Sequence, residues 1–125
     1  MDFIPGFRLI HVDELQSEKK TLDAILAGRD ISTYGVMLPL LANYSSDFVC
    51  YLKTNTHDEQ IGLVMHDNDS VDIMHSSIGD FLSTLCAFYE KGVYFLDEDG
   101  YLDSDFDKEG EIGCALNNGL EYWLK

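Results

Sequence analysis

The sequence predicts an α+β fold, a small antiparallel sheet with helices packed around it, in one domain spanning residues 1–125. Three observations predict it. The segment 48–53 alternates with a period of two, and beyond a polar loop 60–66 reads as its antiparallel partner, the second arm of a hairpin. An apolar run containing Pro39 precedes them. A stripe at helical spacing follows, bracketed by Ser77 and Gly92.

The run Val36-Met37-Leu38-Pro39-Leu40-Leu41 leads into Asn43-Tyr44-Ser45-Ser46-Asp47, whose small polar side chains hydrogen-bond nearby backbone and favour a turn. Phe48, Cys50 and Leu52 then alternate with Val49, Tyr51 and Lys53, so a strand is expected whose two faces are both apolar. Thr54 to Glu59 reads as a polar loop, and Gln60 to His66 as the antiparallel partner. After a turn at Asp67-Asn68-Asp69-Ser70 comes a third short strand, Val71-Asp72-Ile73-Met74. Ser77, with Asp80 three residues on, has the pattern of a capping box. The helix it opens carries Ile78, Phe81, Leu82, Leu85 and Tyr89 on one stripe, expected to be core, and Gly92 ends it. Upstream, Asp13 is expected to cap a helix bearing Leu15, Leu22, Ile25 and Leu26, which ends near Gly28 and packs on the sheet. Downstream, Val93 to Leu96 fits a short strand or an extended connection, and Cys114 to Leu116 and Leu120 to Leu124 are apolar anchors.

This order of elements resembles the SUKH superfamily, the Smi and Knr family of bacterial immunity proteins and their fungal relatives. The Pro39 run, the small-residue turn ending in Asp47, the strand Phe48 to Leu52, the element Ile61-Gly62-Leu63-Val64-Met65-His66-Asp67 and the start Ser77-Ile78-Gly79-Asp80-Phe81-Leu82 carry the likeness. Phe7 to Leu15 looks like the family's strand running into an acidic helix start, so the resemblance covers Phe7 to Glu90. Three places depart from the pattern. Ser45-Ser46 stands where the turn usually carries glycines, and Met65-His66-Asp67 where an aromatic usually precedes Asp-His-Glu. The family's amino-terminal helix has no counterpart before Phe7, which leaves its packing to a shortened fold or to a partner, a homo-oligomer included.

The resemblance implies an immunity protein that binds and neutralises a cognate toxin domain, with a general protein-interaction adaptor as the alternative. Composition bears on the partner independently. The formal net charge is -15, with 23 Asp and Glu against 8 Lys and Arg. Such a charge repels nucleic acid and anionic membranes and suits a basic protein, such as a nuclease whose site attracts phosphate. Occlusion of that site is the expected mode of inhibition. The start of the chain lacks the basic and apolar regions of a secretory signal, and no apolar run approaches a membrane span, so a cytoplasmic location is expected. Cys50, Cys86 and Cys114 are odd in number and far apart, which suits small buried hydrophobes in a reducing compartment better than disulfides.

The acid is concentrated. Between residues 97 and 111 lie Asp97, Glu98, Asp99, Asp103, Asp105, Asp107, Glu109 and Glu111 against a single base, Lys108, nearly half of the net charge. With Tyr94, Tyr101 and Phe106 as apolar anchors, these residues are the expected partner-binding surface, because large aromatic anchors usually carry most interface energy. Asp103, Asp105 and Asp107 alternate as at the start of an EF-hand loop, but Lys108 stands where the loop needs glycine and Cys114 where it needs a bidentate glutamate. A solvated acidic loop is the expectation. His57, His66 and His75 recur at even spacing among acidic residues, yet lie in a loop and at two separate strand ends, so they are not expected to converge. His66 is expected to make a structural hydrogen bond. No phosphate loop, nucleophile elbow, paired cysteines or zinc-protease helix motif occurs, so no enzyme activity, cofactor or metal is expected.

Overall fold

The computed structural model describes residues 2–124 and shows an α+β fold. Its main sheet has six strands: β1 (Asp2–Ile4), β2 (Phe7–Leu9), β3 (Tyr34–Ala42), β4 (Phe48–Thr54), β5 (Glu59–Val64) and β6 (Val71–His75). Every neighbouring pair is antiparallel, and the spatial order is the order along the chain. Helix α1 (Leu15–Leu26) follows β2, and α2 (Ile78–Glu90) follows β6. A two-stranded sheet, β7 (Tyr94–Leu96) with β8 (Leu102–Ser104), then leads into α3 (Phe106–Leu116) and a terminal 3-10 turn, Glu121–Trp123.

Both faces of the sheet are covered. On one, Leu22 and Leu26 of α1 meet Met37, Phe48, Cys50 and Leu52. On the other, Phe81, Leu85 and Phe88 of α2 meet Leu41, Val49, Ile61, Met74, Tyr94 and Trp123. The apolar character of both sides of β4 has its explanation here, since its successive side chains enter opposite cores. Pro39 sits at an irregularity in the β3–β4 pairing, between the pairs Pro39 with Cys50 and Leu41 with Val49, the kind of position where a strand tolerates proline. Gly62 pairs with Cys50, and a Cβ added to it would lie 2.7 Å from Leu52 Cδ1 and 3.0 Å from Val71 Cγ1.

The hairpin, the third strand and the α2 boundaries agree with the sequence expectation. Ser77 Oγ accepts the Asp80 N–H at 3.0 Å, and at the far end Gly92 has φ of +68° while the Val93 N–H reaches back to the Phe88 carbonyl at 2.8 Å. Other expectations are corrected. The buried face of α2 is Phe81, Thr84, Leu85 and Phe88, whereas Ile78, Leu82 and Tyr89 are exposed: the buried stripe is rotated from the expected one. Asp13 caps nothing; a 3-10 turn, Val12–Glu14, precedes α1, and the His11 side chain accepts the Asp13 N–H at 3.1 Å. Before Phe7 the chain forms β1, paired with β2 around Gly6 at φ +85°. All three cysteines are free, but only Cys50 is buried, its thiol pushed up to about 12 by burial, while Cys86 is exposed. Among the described residues no helix is long and apolar enough to cross a membrane.

Candidate functional site

The acidic segment is not a loop. Residues 97–101 form the tight turn of the β7–β8 hairpin: Asp97 Oδ1 accepts the N–H groups of Asp99 and Tyr101, each at 2.9 Å, and Gly100 adopts φ of +83°. Asp103 lies on β8 directly across from Phe95 of β7, so both side chains leave the same face of the hairpin. Asp105 caps α3 by accepting the Lys108 N–H at 3.2 Å, and Asp107, Glu109 and Glu111 follow on the helix. Asp103, Asp105 and Asp107 thus belong to a strand, a cap and a helix, which disposes of the calcium-loop geometry.

The expected partner-binding residues divide into three groups. Glu98, Asp99, Asp103, Asp107 and Glu111 are exposed, as are Tyr101 at 71% and Phe106 at 72%. Asp97 and Asp105 are half-buried and committed to the turn and the cap. Tyr94 is corrected outright: it is buried, packed against Phe88 and Tyr89, and burial drives its phenol far above the ordinary tyrosine range. Glu109 turns inward beside it; burial raises its carboxyl, and the hydrogen bond from Tyr94 opposes this only in part. Sequence reasoning missed Phe95 and Leu96, 43% and 58% exposed, because an apolar pair on a short strand reads as core. Next to the hairpin, a groove of about 440 Å³ runs between α3 and the terminal turn, lined by Phe106, Asp107, Gly110, Glu111, Cys114 and Tyr122 among others.

His57, His66 and His75 lie in separate settings. His57 sits in the β4–β5 turn at φ +68°. His75 is buried at the end of β6, between the rings of Phe81 and Trp123 at 5.2 and 5.5 Å. Asn117 donates one amide hydrogen to Thr84 Oγ1 at 3.0 Å and the other to the Gly113 carbonyl at 2.9 Å, which leaves its Oδ1 facing His75 Nδ1 at 2.8 Å. Nδ1 therefore carries the proton. Burial holds this imidazole below the ordinary histidine range, and the Asn117 bond and the Asp80 charge oppose that only in part.

His66 makes the expected hydrogen bond, to Asp47 across the β4–β5 pair. Its Nδ1 stands 2.7 Å and its backbone N–H 2.9 Å from Asp47 Oδ1. Asp47 is buried; burial raises its carboxyl, but the hydrogen bonds from Asn43 and His66 outweigh it and hold the group below the usual carboxylate range. Asp67 joins the pair, and one ligand atom from each of Asp47, His66 and Asp67 lies within 4.8 Å of the others. Arg29, beyond α1, pins this segment by donating from Nη2 to the carbonyls of Met65 and His66 at 3.0 and 3.1 Å.

No family model, curated protein or solved structure matches this chain.

Proposed function

We propose that the protein is an immunity-type binding protein of the SUKH kind, which neutralises a basic toxin domain by covering its active site with the β7–β8 hairpin and the start of α3. The observation that carries this reading is the exposure of Tyr101 and Phe106 among Glu98, Asp99, Asp103, Asp107 and Glu111. Exposed aromatics supply anchoring area, and the surrounding carboxylates steer a cationic partner and compete with its polyanionic substrate. The hairpin turn and the Asp105 cap fix this surface before binding, which lowers the entropic cost of association.

Co-expression with the toxin domain encoded beside it tests the reading, scored by rescue of growth and by co-purification. The triple variant Asp103→Lys, Asp107→Lys, Glu111→Lys avoids the structural carboxylates Asp97 and Asp105. It is expected to weaken toxin binding more than tenfold, by about 1.4 kcal/mol or more, and to flatten the salt dependence. Phe106→Ala should slow growth rescue while leaving the thermal midpoint unchanged. An affinity unaltered by both changes removes this surface from the interface, and failure of rescue and co-purification together sinks the pairing.

A further inference from the structure

We propose that Asp47, His66 and Asp67 form a binding site for a divalent transition ion of the zinc type. The donors come from the two ends of one strand pair. Phe48 pairs with Val64, so Asp47, just before β4, lies across from the segment that carries His66 and Asp67 beyond β5. One atom from each lies within 4.8 Å of the others, and Asp47 Oδ1 stands 2.7 Å from His66 Nδ1. Zinc takes imidazole nitrogen at about 2.0 Å and carboxylate oxygen at about 2.0–2.2 Å, which separates the donors of a tetrahedral site by roughly 3.3 Å. Reaching that spacing takes opening the Asp47–His66 contact by roughly half an ångström and drawing in the exposed Asp67 carboxylate from within its 4.8 Å limit. An imidazole among the donors selects against magnesium and calcium, which favour oxygen alone.

The surroundings hold the donors in place. Asn43 Nδ2, outside the donor set, donates to Asp47 Oδ2 at 3.0 Å, and the His66 backbone N–H donates to Oδ1, so two N–H groups that are not ligand atoms orient the carboxylate. Arg29 fixes the His66 segment through its two carbonyl contacts, and its Nε lies 3.6 Å from Asp69. His66 and Asp67 are exposed, which gives an ion a path in and leaves its remaining position to water. An entering ion takes the Nδ1 lone pair, so the single hydrogen of the neutral imidazole moves from Nδ1 to Nε2; the ring stays neutral and no proton is released. The site lies outside the acidic hairpin and does not depend on the toxin-binding reading.

Titration calorimetry of the full, reduced chain with zinc chloride tests the assignment, alongside the absorption spectrum with cobalt. One ion per chain at micromolar affinity is expected, with cobalt bands free of thiolate charge transfer. Asp67→Asn should weaken binding by about tenfold or more without moving the thermal midpoint of the ion-free protein, since Asp67 is exposed. His66→Ala should abolish it. Absence of saturable binding, unchanged affinity in Asp67→Asn, or a thiolate band assigning the ion to a cysteine such as exposed Cys86 each overturns the proposal.

Discussion

Gly110 and Gly113 lie one turn apart on α3 and should answer alanine in opposite ways. A Cβ at Gly113 would fall 2.1 Å from Trp123 Cε3, so the indole must leave its place. Its N–H, which donates to the Met74 carbonyl at 2.6 Å, would go with it. Gly113→Ala is expected to destabilise by about 3 kcal/mol, and to shift the emission of Trp123, the single tryptophan, to the red. At Gly110 nothing lies within 4 Å, and Gly110→Ala should stabilise by about 1 kcal/mol through helix propensity alone. Denaturant unfolding followed by that fluorescence checks both. From sequence the two glycines look alike, because the difference lies in a ring contributed from ten residues downstream of Gly113. The His66 hydrogen bond was similarly half legible. A histidine at a strand end needs a partner, but its partner Asp47 sits 19 positions back and is found only through the β4–β5 register.

At the scale of elements, β4, β5, β6 and α2 were readable because periodicity and end signals agree in each: alternation for the strands, Ser77 and Gly92 for the helix. Helix α3 was hidden. Two glycines and a run of acids lower its intrinsic propensity, and its stability comes instead from the Asp105 cap and from packing against α2 and the terminal turn. Asp105→Ala is therefore expected to cost about 1 kcal/mol. The loss should appear first as faster amide hydrogen exchange in the opening turn of α3, and unchanged exchange there would show that the cap is dispensable. The rotation of α2 has a comparable origin. Leu82 and Tyr89 are as apolar as Thr84, or more so, yet Thr84 is the residue buried, where its hydroxyl accepts from Asn117 at the end of α3. A hydropathy pattern has no means of showing that bond.

Across the whole molecule, His75 joins the sheet to α2, α3 and the terminal turn through Thr84, Asn117, Phe81 and Trp123. Its folded value lies below its unfolded one, so as pH falls the unfolded chain takes up the proton first. The stability this network contributes is complete above about pH 6.5 and is lost as the pH drops through that value toward the folded one. Denaturation midpoints near pH 7.5 and pH 5 should therefore fall less in His75→Gln than in the parent protein; equal declines would free His75 of this role. The α+β class was legible at this scale, since alternating and helical periods divide the chain cleanly. The layering was only hinted at, by the apolar character of both sides of β4. That two-sidedness has a consequence for how the chain finds its alignment. Where one face is wet, a slip of one residue is punished by exposing the core, but β4 would offer apolar groups to both layers after such a slip. Gly62 supplies the missing discrimination: it is a slot, the absence of a methyl that lets Leu52 and Val71 close over it, and only one alignment brings the slot beneath them.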